Sequence, residues 1–215
     1  MKGSGDFFDG FATRFDSLYD SKRSWFWRWF DQRFRSDIYI RFAVTFEFLG
    51  DLSGKSILDI GCGSGPYIEE ALRRGASHVT GIDPAPRMLD LARKRVERLG
   101  MLDRISLHQG YFPYVTPAEK HDYAIVMGVM DYIRDPEPFL RSVCSNIRCG
   151  AAISFPSLHW FRTPIRKVRY LLRRCPVYFY TERKINLLMS RAGSWTFTVT
   201  KIPGAGMDYV VCATV

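Results

Sequence analysis

No apolar run in this chain approaches the roughly 18–20 residues that span a bilayer. The N-terminus, with Asp6 and Asp9 set among aromatic residues, lacks the apolar stretch of a secretory leader. A soluble, unprocessed, cytoplasmic protein is expected. Cysteine is sparse: Cys62, Cys144, Cys149, Cys175 and Cys212 are scattered without C-x-x-C spacing, and their number is odd. That argues against a disulfide framework and against structural zinc, and no metal site is expected. Acid is short as well, with 22 Asp and Glu against 31 Lys and Arg, a formal net charge of +9. Apolar residues are plentiful: 47% of 215 residues is enough to bury one large core. One domain over residues 51–215 is expected, preceded by a helical extension or lid over residues 1–50.

Against that background stands the run Ile57-Leu58-Asp59-Ile60-Gly61-Cys62-Gly63-Ser64-Gly65, followed by Gly81-Ile82-Asp83. Ile57, Leu58 and Ile60 form a short apolar run ended by glycine, the pattern of a buried parallel strand. The glycines remove Cβ atoms where the backbone turns sharply and comes close to a ligand, and Pro66 suits the first position of a helix. A second strand, residues 78–83, ends in Asp83, placed to accept two hydrogen bonds from a ribose diol. The unit is a nucleoside-binding crevice. A dinucleotide fold carries G-x-G-x-x-G, whereas this chain has G-x-G-x-G, with Pro66 where the third dinucleotide glycine falls. Asp59 at the strand end would repel a pyrophosphate and suit a cation. A dinucleotide site and a purely structural glycine turn stay open as alternatives, and for Cys62 a small side chain fitted into a tight turn is preferred to a nucleophile.

The same residues resemble the class I S-adenosylmethionine-dependent methyltransferases. Their first motif is similar to Leu58–Gly65, their second to Gly81-Ile82-Asp83, and Pro84–Arg93 continues the likeness into the following helix. S-adenosylmethionine carries a sulfonium and an ammonium, the kind of charge Asp59 suits. The resemblance covers roughly residues 56–215. It implies an α/β, Rossmann-like, seven-stranded, mostly parallel sheet with helices on both faces and an antiparallel terminal hairpin. It also implies S-adenosylmethionine as cofactor, held by Asp59, Gly61, Gly63, Gly65, Asp83 and Pro84, with Tyr111 and Phe112 near the adenine and Met127 closing the fourth strand. An acidic residue often follows the third-strand glycine in this family, and here Tyr111 takes its place. An N-terminal segment often closes over the cofactor; Phe15-Asp16-Ser17-Leu18-Tyr19 is similar to it, with Tyr19 as the lid residue.

Further elements follow from periodicity: a helix over 85–98, strands over 105–110, 122–128 and 151–155, a helix over 136–143, and a hairpin of 195–202 with 208–215. The segment Val129-Met130-Asp131-Tyr132 leaves the carboxyl end of the fourth strand, where ligands bind in open parallel sheets. It is expected to touch both cofactor and substrate.

Residues 157–184 read as an inserted substrate region of unusual charge. Arg162, Arg166, Lys167, Arg169, Arg173, Arg174, Arg183 and Lys184 stand against Glu182 alone, so eight minus one gives +7 of the chain's +9. Thr163 can cap a helix in which Ile165, Val168, Leu171 and Leu172 share one side and the basic residues the other. It is either a solvated face over a lid or an anion-binding surface for phosphate, carboxylate or lipid headgroups. In the extension, Phe26, Trp29, Phe30 and Phe34 fall at helical spacing; packing against the domain is favoured over an interfacial patch.

Methyl transfer from a sulfonium is an in-line displacement whose leaving group is already activated, so alignment and exclusion of water supply much of the acceleration. A base is optional. His159, past the fifth strand, is the base candidate, and Tyr132 is the second catalytic candidate. Asp131, Arg162, Arg166, Lys167, Tyr178 and Tyr180 are the substrate contacts, although Tyr178 and Tyr180 could equally pack the lid. Exocyclic base amines are disfavoured, because Gly128-Val129-Met130-Asp131 stands where such enzymes carry Asp or Asn before Pro-Pro and an aromatic. Cytosine-C5 chemistry is disfavoured because Cys175-Pro176 reverses the required order. Nucleic acid is not expected as a partner, nor an obligate protein partner. The stretch from Ser154 to Pro164 resembles O-methyltransferases acting on porphyrin carboxylates, without assigning that substrate. The expected activity is methyl transfer to a small or lipid-linked, anionic acceptor, oxygen preferred to nitrogen, with peripheral contact to an anionic membrane as a further expectation. The competing readings are a non-catalytic S-adenosylmethionine-binding or membrane-surface protein and a nicotinamide-dependent oxidoreductase.

Overall fold

The computed structural model describes residues 39–157, 177–203 and 208–215. A helix through residues 39–49 (α1) precedes strand β1 (Ser56–Ile60), helix α2 (Pro66–Arg73), β2 (His78–Asp83), α3 (Pro86–Glu97), β3 (Ile105–Gln109) and β4 (His121–Val126). Then come α4 (Pro136–Ser145), β5 (Ile147–Phe155), α5 (Glu182–Ala192), β6 (Thr196–Lys201) and β7 (Tyr209–Thr214). The sheet order is β3-β2-β1-β4-β5-β7-β6. Strands β1 to β5 pair in parallel, and β7 runs antiparallel between β5 and β6. This is the architecture expected from the sequence. Chain direction across the sheet reverses at the β1/β4 boundary, which opens a crevice at the carboxyl ends of those strands.

Alternation along the strands sorts side chains to two faces. Leu58, Ile60, Ala124, Val126, Ile153 and Phe155 face α4 and α5. Ile57, Val79, Ile125 and Ala152 face α1, α2 and α3. Each fully buried aliphatic side chain among them contributes about 1.5–3 kcal/mol, so the two layers hold β1 rigid on both sides. Asp59 alternates with Leu58 and Ile60, and therefore sits on the α2 face.

Strand β5 begins at Ile147, four residues before the expected start at Ala151. Gly150 stands just before that expected start, and its missing Cβ is what lets the backbone of Ala213 pass beside it in β7. A glycine used for close approach carries the same letter as one used for a turn.

Helix α1 shares the core, with Phe46 and Leu49 buried. Phe42 and Phe46 meet the Tyr67 ring at centroid distances of 5.0 and 5.9 Å. Arg74 caps the helix by donating to the Phe46 carbonyl at 3.1 Å. Among the described residues, no helix is long and apolar enough to cross a membrane.

Candidate cofactor and acceptor site

The glycine loop joins β1 to α2 and is tied to the end of β2. Gly61 and Cys62 donate their N–H groups to the Ile82 carbonyl at 2.7 and 3.2 Å, and Gly65 donates to Cys62 at 3.0 Å. Gly61 has φ +72°, and a Cβ there would collide with the Val129 side chain, so the loop meets the segment after β4 only because Gly61 has none. A Cβ on Gly63 would meet nothing within 4 Å. Gly63 is thus the loop residue with open space before it.

Asp83 holds the loop from the other side. Its Oδ2 accepts the Gly63 N–H at 2.9 Å and its Oδ1 accepts the Ala85 N–H at 2.9 Å. Burial pushes its pKa up while these two N–H groups pull it down, with a net rise. Asp59 is 2% exposed and its Oδ2 has no hydrogen-bond partner. Burial, and then the neighbouring Asp83 charge, push the Asp59 carboxyl up to about 8. An orphaned buried acid is costly unless a cation arrives to meet it. The two carboxyls therefore fit a ligand with ribose hydroxyls for Asp83 to accept and positive charge for Asp59. Two acids side by side oppose the pyrophosphate of a dinucleotide.

The Cys62 thiol is buried and pushed well above its ordinary value, chiefly by burial and then by the Asp59 and Asp83 charges. Its Sγ lies 3.0 Å from where a Gly81 Cβ would stand. It is a packing residue, since a nucleophile needs its thiolate.

One clamp has no motif in the sequence. Arg95 on α3 donates from Nε to the Ser64 carbonyl at 3.0 Å and pairs with Glu69 on α2 at 2.8 Å. Glu69 is held below the usual carboxylate range: burial raises it, and the Arg95 and Arg73 hydrogen bonds overcome that rise. A signal was present in the helical period, because Ala92, one turn before Arg95, is the residue packed at 2.9 Å from a Gly65 Cβ position.

Beyond β3, Tyr111 is half-buried, whereas Phe112 turns into the core with its ring edge-on to Phe139 at 5.4 Å. Of the two side chains expected near the adenine, Phe112 is corrected to a packing role. Pro84 is half-buried, and its carbonyl accepts from Gln109 at 3.5 Å. Met127 follows β4 and packs against α1, its Sδ accepting the Thr45 hydroxyl at 3.8 Å. Gly128 donates to Ser154 Oγ at 2.8 Å, which aims the following segment away from the sheet.

That segment forms a 3₁₀ turn, Met130–Tyr132, with Asp131 buried and Tyr132 half-buried. The Asp131 carbonyl accepts the Tyr178 N–H at 2.8 Å. Tyr180 is 1% exposed, its ring edge-on to Phe155 at 5.1 Å and its hydroxyl donating to the Met130 carbonyl at 3.3 Å. Burial, then the Asp131 charge, push its hydroxyl upward. The expected substrate contact at Tyr180 is corrected to a pillar under the turn, because no acceptor reaches a ring enclosed on every side. Tyr178 is half-buried against the same core cluster. His159, Arg162, Arg166, Lys167 and Tyr19 lie outside the described residues.

Asp208, at the start of β7, was not singled out by any sequence signal. Its Oδ1 accepts the Ser157 N–H at 3.2 Å and its Oδ2 lies 3.9 Å from an Arg41 nitrogen. Arg41, Ser157 and Asp208 come from three distant parts of the chain, which no local pattern links. They gather residues 41, 157 and 208 at the carboxyl end of β5.

A family model for a methyltransferase domain matches residues 57–150. A ubiquinone biosynthesis O-methyltransferase of Aeromonas salmonicida is 32% identical over 142 residues, 63% of this chain and 58% of that relative. A tRNA U34 carboxymethyltransferase of Idiomarina loihiensis is 33% identical over 129 residues, 57% of this chain and 38% of that relative. The chain thus spans between roughly two fifths and three fifths of the length of these relatives. Among solved structures, magnesium protoporphyrin IX methyltransferase from Synechocystis PCC 6803 with bound S-adenosylhomocysteine superposes with TM-score 0.77 at 19% identity, covering 98% of this chain and 96% of that one. An S-adenosylmethionine-dependent methyltransferase from Mesorhizobium loti superposes with TM-score 0.64 at 19% identity, covering 79% and 94%. Likeness at such identity speaks to the fold. The match over residues 57–150, which contains the glycine loop and Asp83 described above, makes that stretch similar to a methyltransferase domain, on a fold shared with S-adenosylmethionine-dependent methyltransferases.

Proposed function

We propose that the chain transfers a methyl group from S-adenosylmethionine to an oxygen of a small or lipid-linked, anionic acceptor. The observation that carries the cofactor is the Asp83 carboxylate, fixed by the Gly63 and Ala85 N–H groups beside Asp59, whose buried Oδ2 has no hydrogen-bond partner. Asp83 keeps lone pairs for the ribose hydroxyls, and Asp59 supplies charge toward the cationic end. When bound, the cofactor would supply an activated sulfonium, with a neutral thioether as leaving group for in-line transfer of its methyl group to the acceptor. The chain's work is then to orient and to exclude water. The loop and Asp83 set one end, and Tyr111, Pro84 and Met127 line the other.

The acceptor side is assigned to the turn Met130–Tyr132 and to the basic run that leaves the sheet at Ser157. Tyr132 and His159 are the groups proposed to orient the acceptor or take its proton. Asp131, Tyr178, Arg162, Arg166 and Lys167 are its proposed contacts, the arginines suiting a carboxylate or phosphate through paired N–H donors. A sequence relative is a ubiquinone biosynthesis O-methyltransferase, which supports oxygen over nitrogen, and a solved neighbour of the same fold is a magnesium protoporphyrin IX methyltransferase. The +7 carried by residues 157–184 supports an anion and extends to an anionic membrane surface.

The test is transfer of label from methyl-labelled S-adenosylmethionine to a panel of carboxylic acids, phenols and amines. Base-labile label, the mark of a methyl ester, on a carboxylic acid supports the reading, as does base-stable label on a phenol. Label on amines alone overturns the oxygen assignment. Cofactor binding without transfer to any class leaves a non-catalytic binding protein. Flotation with anionic against neutral vesicles tests the membrane contact; no flotation at low salt removes it.

A further inference from the structure

The two acids at the loop are not equivalent. Asp83 receives two backbone N–H bonds, which favour its charged form. Asp59 is set among apolar residues on the α2 face, and its Oδ2 receives none. Its strand neighbours, Gly81 on β2 and Ile125 on β4, bring no charge. Among the described residues, the titratable groups set against it are the Asp83 carboxylate and the Cys62 thiol, and neither supplies positive charge. Two neighbouring carboxyls in such surroundings share one negative charge, and the member with hydrogen-bond donors keeps it.

We propose that Asp59 carries a proton in the ligand-free protein and gives it up to solvent when the cationic cofactor seats over the glycine loop, so that cofactor binding is proton-coupled. The proton leaves the Asp59 carboxyl, the carboxylate takes the incoming cation as its counter-charge, and no other bond is made or broken. A carboxyl pushed up to about 8 by burial agrees with this geometry. The inference rests on the cofactor reading above.

The consequence is measurable. Below the range where the free cofactor's own α-amino group titrates, about 7.7–8.0, each bound cofactor releases close to one proton. The association constant then rises about tenfold per pH unit between pH 5.5 and 7. Calorimetry with S-adenosylmethionine in buffers of different ionisation enthalpy counts those protons directly. Wild type is expected to release one, and Asp59→Asn, which mimics the neutral acid, is expected to release none and to bind with an affinity independent of pH. Binding by wild type without proton release, or release that survives in Asp59→Asn, overturns the proposal and leaves the cofactor reading intact. Absence of binding in folded wild type overturns both. A ligand-free readout stands beside it: the infrared band of a protonated carboxyl is expected at neutral pH and lost in Asp59→Asn, and a wild type without that band overturns the proposal.

Discussion

The backbone N–H of Gly63 lies 2.9 Å from Oδ2 of Asp83, linking the middle of the glycine loop to the last residue of the second strand. The same carboxylate reaches the Ala85 N–H on its other oxygen. Asp83 thereby fastens the glycine loop, in addition to the ribose contact proposed for it. Its loss leaves two backbone donors without their partner, each worth about 1–3 kcal/mol.

Gly61→Ala is expected to destabilise the protein and weaken cofactor binding. The φ of +72° disfavours any side chain, and the new methyl meets Val129. Adding Val129→Ala removes the collision and leaves the backbone strain, so thermal unfolding of the double variant should recover part of the loss. Full recovery would show that φ is not a constraint here.

Arg95→Ala should weaken S-adenosylmethionine binding by roughly tenfold, the equivalent of about 1.4 kcal/mol, with a melting point little changed. Arg95 holds a loop carbonyl rather than the core, and its pair with Glu69 is partly exposed, where ion pairs add little stability. A parallel drop in melting point and affinity would make Arg95 a general structural residue.

Tyr180→Phe removes one hydroxyl from beneath the acceptor turn and should cost about 0.5–1.5 kcal/mol of stability. Steady-state kinetics should show a raised KM for the acceptor with cofactor affinity unchanged. A change in cofactor affinity alone would contradict the placement of this turn on the acceptor side.

Two buried groups set opposite pH limits on the ligand-free protein. His121 is bonded to Thr80 at 2.8 Å, and burial, followed by the His78 charge, lowers its pKa from 6.5. The unfolded chain therefore takes up this proton more readily, so stability is full above about pH 6.5 and is lost as pH falls toward the folded value. Asp59 is raised from 3.8 to about 8. The folded state binds its proton more tightly, so its contribution is present below pH 4 and is lost as pH rises through 8. Urea titrations should show Asp59→Asn more stable than wild type at pH 8 and His121→Gln less sensitive to acid. Parallel pH curves for all three proteins would contradict both assignments.

The sheet was legible because its strands are short apolar runs bounded by glycine, and the grouping of Asp59, the loop glycines and Asp83 because they are close together in sequence. Side-chain direction was not legible for Phe112 and Tyr180. Both sit beside functional segments, and only the third-dimension neighbours Phe139 and Phe155 turn them inward. Arg95 and the Arg41–Asp208 pair were missed for a related reason: their partners are fixed by packing between elements far apart in the chain. The start of β5 was placed four residues late, and Gly150 within the strand serves close approach to Ala213 of β7.

The most direct measurement is a calorimetric titration of S-adenosylmethionine into wild type and into Asp83→Ala, with a nicotinamide dinucleotide as control ligand. The account predicts saturable binding to wild type, its loss in folded Asp83→Ala, and no response to the dinucleotide. Binding of the dinucleotide in place of S-adenosylmethionine, or equal S-adenosylmethionine affinity in both proteins, would contradict it.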